Sequence, residues 1–406
     1  MFFIPGTSPL NVGAACGGAR RADVTIACRG CEPCAHGQVQ YHADSLGRCD
    51  EPFSMPKPFN LAVVGYGYVG RTFHAPLIAS TPGLQLHSVV SSKPQQPQAD
   101  FPGINVLADL DSALADPALD AVVLATPNQT HAPFALQALA AGKHVLVDKP
   151  FALDVAQAQQ MVDAANAAGR IISVFQNRRW DADFLTVRRL IEEGQLGEVV
   201  EFHSHFDRYR PQVRDRWRES DSPGAGLWYD LGPHVLDQSL QLFGVPQGIS
   251  ADLQRQRDQA RSVDYFHVTL HYPRLRVILH AGSLVADGSL RFAVHGTRGS
   301  YLKHGMDTQE DQLRAGRRPG TVGWGVDPLA GTLTRVDDEG RVHTHQPDNL
   351  PGDYRQYYTA FRDALAGTGP APVSGSDAVQ LMQLVELAQR SAADGKVQWL
   401  DAARGL

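Results

Sequence analysis

LAVVGYGYVG, residues 61–70, is the stretch that decides the fold of this chain. Its apolar start predicts a strand buried on both faces, and the strand leads directly into Gly65, Gly67 and Gly70, spaced G-x-G-x-x-G. The first glycine permits a tight turn, the second lets the backbone approach a pyrophosphate, and the third lets a helix pack closely. Residues 71–80 have the composition of that helix. Strand, glycine turn and helix together predict a dinucleotide site, with the diphosphate at the helix N-terminus.

Composition and charge are those of an ordinary globular protein. The 406 residues carry a net charge of −6, which argues against nucleic acid or an anionic membrane as the main partner. No apolar run has the length needed to span a bilayer. All five cysteines lie in the first 49 residues, so disulfides cannot hold the rest of the chain together, and a reduced, cytoplasmic setting is the simplest interpretation.

Residues 1–57 differ from the rest of the chain and indicate a disordered leader. Cys28, Cys31 and Cys34 follow the spacing C-x-x-C-x-x-C, but neither a paired zinc motif nor an iron–sulfur run is completed. We therefore expect no metal site in this leader. Arg20-Arg21 is not followed by the long apolar core of an export signal, and Met55 is an alternative start of the protein.

The second predicted strand, residues 84–90, bears on the choice of cofactor. About twenty residues past the glycine turn, NAD-dependent proteins of this fold carry an acid that binds the ribose 2′-hydroxyl. This chain instead has Ser91, Ser92 and Lys93 at that point. Two hydroxyls and an ammonium group can hold a 2′-phosphate, and no carboxylate is there to repel it. These residues favour NADP(H) over NAD(H).

Helices and strands continue to alternate as far as residue 178. Strand 121–125 is followed by small polar residues, and strand 144–147 by Asp148-Lys149-Pro150. In an open α/β sheet, the C-terminal ends of such strands face the ligand crevice. The predicted cofactor contacts are Gly65, Gly67, Tyr68, Val69, Gly70, Ser91, Ser92, Lys93, Thr126, Pro127, Asn128, His131, Asp148 and Lys149.

Beyond residue 179 the pattern changes to strands that follow one another with few helices between them. Strand-like stretches lie at residues 198–209, 250–257, 263–272, 274–285 and 290–295. Residues 305–350 are polar and are expected to be loop, and helices at 353–366 and 376–393 close the chain. We therefore predict an α/β Rossmann domain at 58–178, then an α+β domain with a large, mostly antiparallel open sheet at 179–352, and C-terminal helices at 353–406.

One segment of the second half, GAGLWYDLGPHVLD at residues 224–237, places a carboxylate and an imidazole close together. Asp230 and His234 share a face if the segment is helical, and they remain neighbours if Pro233 begins the helix. A structural contact at a helix start is the alternative interpretation. A neutral histidine can accept the proton of a secondary alcohol, the ammonium of Lys149 can stabilise the alkoxide, and a nicotinamide can take the hydride.

The glycine turn, Asp148-Lys149-Pro150 and the Asp230–His234 segment together resemble the glucose–fructose oxidoreductase/inositol dehydrogenase/MocA (Gfo/Idh/MocA) family. Asp148 stands where that family has Glu. Within the family, stretches such as QNRRWDADFLT (176–186), RYRP (208–211), RWRE (216–219) and QEDQLRAG (309–316) are similar to NADP-dependent scyllo-inositol dehydrogenases. The resemblance implies that Lys149, Asp230 and His234 are catalytic. It also implies a C-terminal segment that returns to the Rossmann domain, and a homodimer or homotetramer formed through the second-domain sheet.

The implied reaction is the interconversion of a ring hydroxyl and a ketone on a cyclic polyol of the scyllo-inositol/inosose type, with hydride passing to or from nicotinamide C4. Polar side chains that pair with hydroxyls, and an aromatic face against the ring, are expected around such a substrate. The predicted substrate contacts are Arg178, Trp180, Asp181, Arg208, Tyr209 and Tyr229. The alternatives are a sugar or keto-sugar reductase, a NAD-assisted glycoside hydrolase of the same fold, and a non-catalytic dinucleotide sensor.

Overall fold

The computed structural model describes residues 57–400, so the predicted leader and its cysteines lie outside the described residues. Two β-sheets organise the described part. The strands of the first sheet are β1 Phe59–Val64, β2 Leu84–Val90, β3 Asn105–Leu107, β4 Ala121–Leu124, β5 His144–Val147 and β6 Ile172–Val174. They are parallel and lie in the order β3-β2-β1-β4-β5-β6. This arrangement confirms the predicted Rossmann sheet, with its change of strand order beside β1.

The glycine turn after β1 has the geometry that its spacing predicts. Gly65 has a φ of +95°, and a Cβ atom there would lie 2.7 Å from the carbonyl oxygen of Ala125. A Cβ on Gly70 would overlap the carbonyl oxygen of Gly65. Both positions therefore exclude a side chain, one by conformation and one by close packing.

The helices that accompany the first sheet are α1 Ala75–Ala79, α2 Gln95–Asp100, α3 Leu110–Leu114, α4 His131–Ala140 and α5 Val155–Ala168. The single helix predicted at 71–80 is divided into a π-helical turn, Gly70–His74, and α1. The side chain of Asp154 caps the first turn of α5, and Gly169 ends this helix in the left-handed conformation, which is why the sequence marks its bounds clearly. The short elements β3 and α2 were not predicted.

The second half of the chain builds a nine-stranded sheet in the order β14-β13-β12-β11-β7-β10-β9-β8-β15. Its strands are β7 Val199–His205, β8 Gly248–Gln254, β9 Tyr265–His271, β10 Arg276–Gly282, β11 Leu290–Gly296, β12 Gly299–His304, β13 Thr332–Val336, β14 Val342–His345 and β15 Gln398–Trp399. The helices are α6 Ala182–Glu192, α7 Leu227–Phe243, α8 Gln309–Arg314, α9 Arg355–Leu365 and α10 Gly375–Asp394. Strands β7 and β10 are parallel, and the other paired strands described in this sheet are antiparallel, as predicted.

The expectation that residues 305–350 form only loop is wrong. They contain α8 and the hairpin of β13 and β14, which extends one edge of the second sheet. All four residues of β14 are exposed, and β13 has a single buried residue, Leu333. A hairpin with only one buried residue carries little alternation of apolar and polar residues, so its sequence resembles a polar loop.

One face of the second sheet is covered by helices, since α7 packs against β9 and β10 and α10 packs against β8. The C-terminal helices also contact the first half of the chain: α9 packs against α1, and α10 packs against α5 and β6. The opposite face of the sheet, called the outer face below, carries half-exposed residues such as His203 and His205. Among the described helices, none combines the length and apolar character of a membrane span.

Candidate active site

Lys149 links the first sheet to α7. It lies two residues after the end of β5, and its Nζ donates to the main-chain oxygen of Asp230 at 2.7 Å and to Oδ1 of the same residue at 2.9 Å. Asp230 lies in the first turn of α7. The predicted pair of lysine and aspartate is therefore brought together across 81 positions of sequence.

His234 lies one helical turn beyond Asp230. Helix α7 runs continuously through Pro233, so the alternative in which the helix begins at this proline is wrong. The imidazole is 5 % exposed, and its Nδ1 has no hydrogen-bond partner among the described residues. A buried ring nitrogen left without a partner at the edge of a cavity is a natural contact for a ligand hydroxyl.

The charges around this pair fix its protonation. Burial and the neighbouring charges of Lys149 and Arg178 lower the pKa of His234 well below its usual value, so the imidazole is neutral near pH 7. Burial raises the pKa of Asp230, but the charges of Lys149, Arg218 and Arg208 outweigh it and hold this pKa far below its usual value. The site thus combines a neutral base with an ionised carboxylate that binds the lysine.

A cavity of about 360 Å³ opens in front of these residues. Its lining is strongly positive, because seven arginines and Lys149 face three carboxylates. The arginines are Arg178, Arg208, Arg210, Arg214, Arg216, Arg218 and Arg314, and the carboxylates are those of Asp148, Asp230 and Glu310. Five of the seven arginines come from the segment between β7 and α7, called the arginine loop below (residues 206–226).

Glu310 is a site residue that the sequence analysis missed. It lies on α8, inside the segment predicted to be loop, and accepts hydrogen bonds from Arg178 at 3.0 Å and from the Tyr68 hydroxyl at 2.9 Å. Its carboxylate therefore links Arg178 in the cavity to Tyr68 in the glycine turn. The stretch QEDQLRAG, which carries the family resemblance, was the available signal.

Of the predicted substrate contacts, Arg178 and Arg208 line the cavity. Both guanidinium groups stack on the ring of Phe206, at 4.8 and 5.0 Å from its centroid. This buried ring therefore presents two cations to the cavity.

The other four predicted substrate contacts do not line this cavity. The Trp180 ring packs edge-on against Tyr357, and Asp181 is fully buried and accepts a hydrogen bond from the Tyr354 hydroxyl at 2.7 Å. Tyr209 is 61 % exposed. Tyr229 lines a small adjoining crevice that also includes Lys149, and its hydroxyl donates to the main-chain oxygen of Leu153. Their positions in the chain placed them near the cleft, but the direction of each side chain depends on long-range packing.

A second cavity, of about 480 Å³, lies at the C-terminal ends of β1, β2 and β4 and contains many of the predicted cofactor contacts. Those that line it are Gly65, Gly67, Ser91, Ser92, Lys93 and Thr126. A Cβ atom on Gly67 would meet no protein atom within 4 Å, so the protein's own packing does not require glycine there. The open space next to Gly67 leaves room for the diphosphate of a dinucleotide to approach the backbone closely, which is the role of this glycine in the G-x-G-x-x-G motif.

Asp109 is the acidic residue among those that line this crevice together with Ser91, Ser92 and Lys93. It is engaged at the start of α3, where it accepts from the main-chain nitrogen of Ser112 at 2.8 Å.

The remaining predicted cofactor contacts do not line this second cavity. Tyr68, Val69, Asp148 and Lys149 line the arginine-rich cavity, next to the glycine turn. The amide of Asn128 donates to the main-chain oxygen of Gly224 at 3.1 Å.

His131 is fully buried between two loops of the first sheet. Its ring nitrogens lie 2.9 Å from the main-chain oxygen of Pro150 and 3.0 Å from that of Thr126, whose neighbour is Pro127. This histidine therefore braces the loops that follow β4 and β5.

Comparison with known families agrees with this two-part arrangement. Residues 59–176 match the profile described as an oxidoreductase family with an NAD-binding Rossmann fold, and residues 188–401 match the C-terminal alpha/beta domain of the same family. The chain belongs to the Gfo/Idh/MocA oxidoreductase family. Its Rossmann domain is accordingly an NAD(P)-binding domain.

Individual members of the Gfo/Idh/MocA family match most of the chain. The oxidoreductase YdgJ of Escherichia coli is 51 % identical over 83 % of this chain and 97 % of its own length. The scyllo-inositol 2-dehydrogenase (NADP(+)) IolW of Bacillus subtilis is 35 % identical over 84 % of this chain and 96 % of its own length. The solved structure of the YPO2259 oxidoreductase from Yersinia pestis is 48 % identical, with a TM-score of 0.83 over 86 % of this chain and 99 % of that one.

Proposed function

We propose that this oxidoreductase interconverts a ring secondary alcohol and its ketone on a cyclic polyol of the scyllo-inositol/inosose type, with NADP(H) as its cofactor. The observation that carries the proposal is the contact of Lys149 with Asp230, one turn from the neutral His234, in a cavity beside the glycine turn. Similarity to the Bacillus subtilis scyllo-inositol 2-dehydrogenase supports the choice of substrate.

Each of the three residues has a defined task in this proposal. A lysine ammonium group has three donors, and the structure uses two of them on Asp230, which leaves one for the substrate oxygen. His234 accepts the hydroxyl proton during oxidation and returns it during reduction. Asp230 fixes the ammonium of Lys149 beside the oxygen on which negative charge develops. When NADP is bound, its nicotinamide supplies the hydride exchange.

The preference for NADP rests on the end of β2. Ser91, Ser92 and Lys93 line the crevice there, and Lys93 is exposed, so its ammonium is free to meet a phosphate. For assembly, we propose a homodimer or homotetramer that pairs the outer faces of the second sheets, because the described helices leave that face uncovered.

The decisive experiment follows nicotinamide absorbance with NADP and NAD in parallel, over a panel of inositols, inososes and aldoses. Lys149→Ala and His234→Ala are each expected to lower kcat by about 100-fold or more, because each removes a group that acts on the reacting oxygen. NADPH binding, measured by fluorescence, should be nearly unchanged. Full activity in both variants would contradict the catalytic assignment.

Matched controls and one product assay complete this experiment. Lys396→Ala and His343→Ala remove the same residue types from exposed positions and should leave kcat unchanged. A glycoside panel with product analysis tests the hydrolase alternative, since a hydrolase would release sugar without net change in nicotinamide absorbance. Tight NADPH binding with no turnover of any compound would favour the sensor.

The charge of the cavity favours a second candidate, a reductase of a keto-sugar that carries a carboxylate or a phosphate. Seven arginines against three carboxylates leave a strongly positive lining, which a neutral polyol does not require. Adding phosphorylated and carboxylated sugars to the panel decides between the candidates. If the anionic compounds are preferred, Arg214→Gln should raise their KM and leave the KM of neutral polyols unchanged.

A further inference from the structure

A row of histidines crosses the outer face of the second sheet, away from the arginine-rich cavity. His205 on β7 is the register partner of His280 on β10, and His280 is also the register partner of His267 on β9. The centroids of the His205 and His280 rings are 5.2 Å apart. Neighbouring strand positions therefore hold these imidazoles side by side.

Asp207 completes a cluster with two of these histidines. It lies two residues after His205, and its two carboxylate oxygens face different imidazoles. Oδ2 lies 3.1 Å from Nδ1 of His205, and Oδ1 lies 3.4 Å from Nε2 of His280. The main-chain nitrogen of Gly282 donates to Oδ1 at 2.9 Å and holds the carboxylate in place. The three side chains are only 6–18 % exposed.

We propose that His205, Asp207 and His280 form a binding site for a divalent transition metal, with zinc as the best fit. Their ligand atoms all lie within 4.8 Å of one another. Zinc binds histidine nitrogen and carboxylate oxygen at about 2.0–2.2 Å, so ligand atoms around a tetrahedral ion lie roughly 3.3 Å apart. Each histidine nitrogen lies at about that spacing from one of the two oxygens of Asp207. Three protein ligands leave a fourth position for water.

A metal at this site would link the parallel strands β7 and β10 on the outer face of the sheet, away from the arginine-rich cavity. Successive side chains point to opposite faces along β7 and just past its end. His205 and Asp207 therefore face the outer face, and Phe206 is buried on the other side. Phe206 supports the guanidinium groups of Arg178 and Arg208. A metal bound here is expected to stiffen the end of β7, where Phe206 supports these two cations, independently of which substrate the cavity takes.

The first test measures zinc in untagged full-length protein purified from zinc-supplemented cells without chelators. Because Cys28, Cys31 and Cys34 could also bind zinc, all measurements use the full chain in which these three are replaced by serine. We expect one zinc ion per chain in this background. His205→Gln and His280→Gln should each weaken zinc binding by at least about tenfold, since a ligand is lost.

The matched control is His343→Gln, which disrupts an exposed contact between a histidine and Asp337 on the β13–β14 hairpin and should keep the zinc. Binding of Co²⁺ gives a second measurement, because a site of two nitrogens and an oxygen produces visible d–d bands without the near-ultraviolet bands of thiolate ligands. Circular dichroism of each variant confirms that it is folded.

Two results would overturn the metal site. The first is that the chain with the three serine replacements binds neither Zn²⁺ nor Co²⁺, which would mean that Asp207 only accepts hydrogen bonds from the two imidazoles. The second is equal metal content in the folded His205→Gln and His280→Gln variants and their parent. Neither result affects the proposed dehydrogenase, because activity with the polyol panel is measured separately.

Discussion

His234 can accept a proton only in its neutral form, and its neighbours set the pH at which it has that form. Burial, Lys149 and Arg178 lower its pKa well below the ordinary value, whereas Asp230 raises it. An exposed histidine would become protonated near pH 6.5. We therefore expect kcat/KM for alcohol oxidation to remain level as the pH falls through about 6.5 and to decline only at more acidic pH.

The same residues predict the direction in which a variant moves this profile. Asp230→Asn removes the charge that favours the protonated imidazole, so the acidic decline should shift to still lower pH, in addition to the loss of kcat. The measurement is kcat/KM from pH 5 to pH 9 in buffers of constant ionic strength, to be compared with the parent. A decline centred near pH 6.5 in the parent would contradict the proposed role of burial.

Cofactor choice is the second property decided by single residues. Lys93→Ala should raise the KM for NADP by about tenfold or more and leave the KM for NAD nearly unchanged, because it removes a charged partner of the 2′-phosphate. Ser91→Asp should also weaken NADP and improve NAD, since it places a carboxylate at the end of β2. Lys396→Ala is the control for the loss of an exposed lysine. An unchanged ratio of NADP to NAD in both variants would contradict the assignment.

At the scale of elements, the arginine loop is held in place by a buried ion-pair network. Arg257 contacts Glu219 at 3.0 Å and Asp264 at 2.8 Å, and it also donates to the main-chain oxygens of Arg210 and Gln212. Glu219 in turn accepts from the main-chain nitrogen of Arg214. The arginine loop, which supplies most of the positive lining, is therefore held by contacts with the guanidinium group of Arg257.

Arg257→Met should release this loop. We expect KM for the substrate to rise severalfold while the affinity for NADPH stays close to that of the parent, because the loop borders the arginine-rich cavity. The melting temperature should also fall, since buried Asp264 loses its cationic partner and buried Glu219 loses one of two. Arg341→Met, which breaks exposed pairs with Asp337 and Glu339, is the matched control and should change neither quantity. Unchanged KM in a folded Arg257→Met protein would show that the loop does not need this support.

The elements that were predictable from the sequence are those with local signals. Strand β5 was predicted with its observed bounds, because continuous apolar residues mark it, and in the same way Asp154 and Gly169 mark the two ends of α5. The G-x-G-x-x-G turn likewise contains its own conformational requirements, visible in the positive φ of Gly65. Such features depend on residues only a few positions apart.

The features that were not predictable depend on distant parts of the chain. Glu310 reaches Arg178 from 132 positions away, on a six-residue helix too short to show periodicity. His205 and His280 become neighbours through the register of a parallel pair of strands, which no local pattern specifies. Lys149 and Asp230 were combined in one site from the chemistry of their side chains and from the family resemblance, and their contact follows from the packing of α7 near the end of β5.

At the scale of the whole molecule, one buried ion pair joins the two halves of the chain to the C-terminal segment. Arg179, just after β6, makes two hydrogen bonds to the carboxylate of Asp237 on α7, at 2.8 and 2.7 Å. The same guanidinium donates to the main-chain oxygen of Pro372 at 3.0 Å, shortly before α10. Both side chains are about nine-tenths buried or more, so the pair lies where the three parts meet.

Removing one partner of this pair is expected to cost far more than removing both. Asp237→Leu leaves the buried guanidinium of Arg179 without the carboxylate to which it is hydrogen-bonded, and we expect it to lower the free energy of unfolding by about 3–5 kcal/mol. Burial already raises the pKa of Asp237 in spite of the neighbouring Arg179, which indicates that the pair only partly compensates for its loss of hydration. The double variant Arg179→Met/Asp237→Leu should therefore recover most of the loss. Urea denaturation of the parent, of Arg179→Met, of Asp237→Leu and of the double variant measures the coupling, and additive losses would show that the two residues act independently.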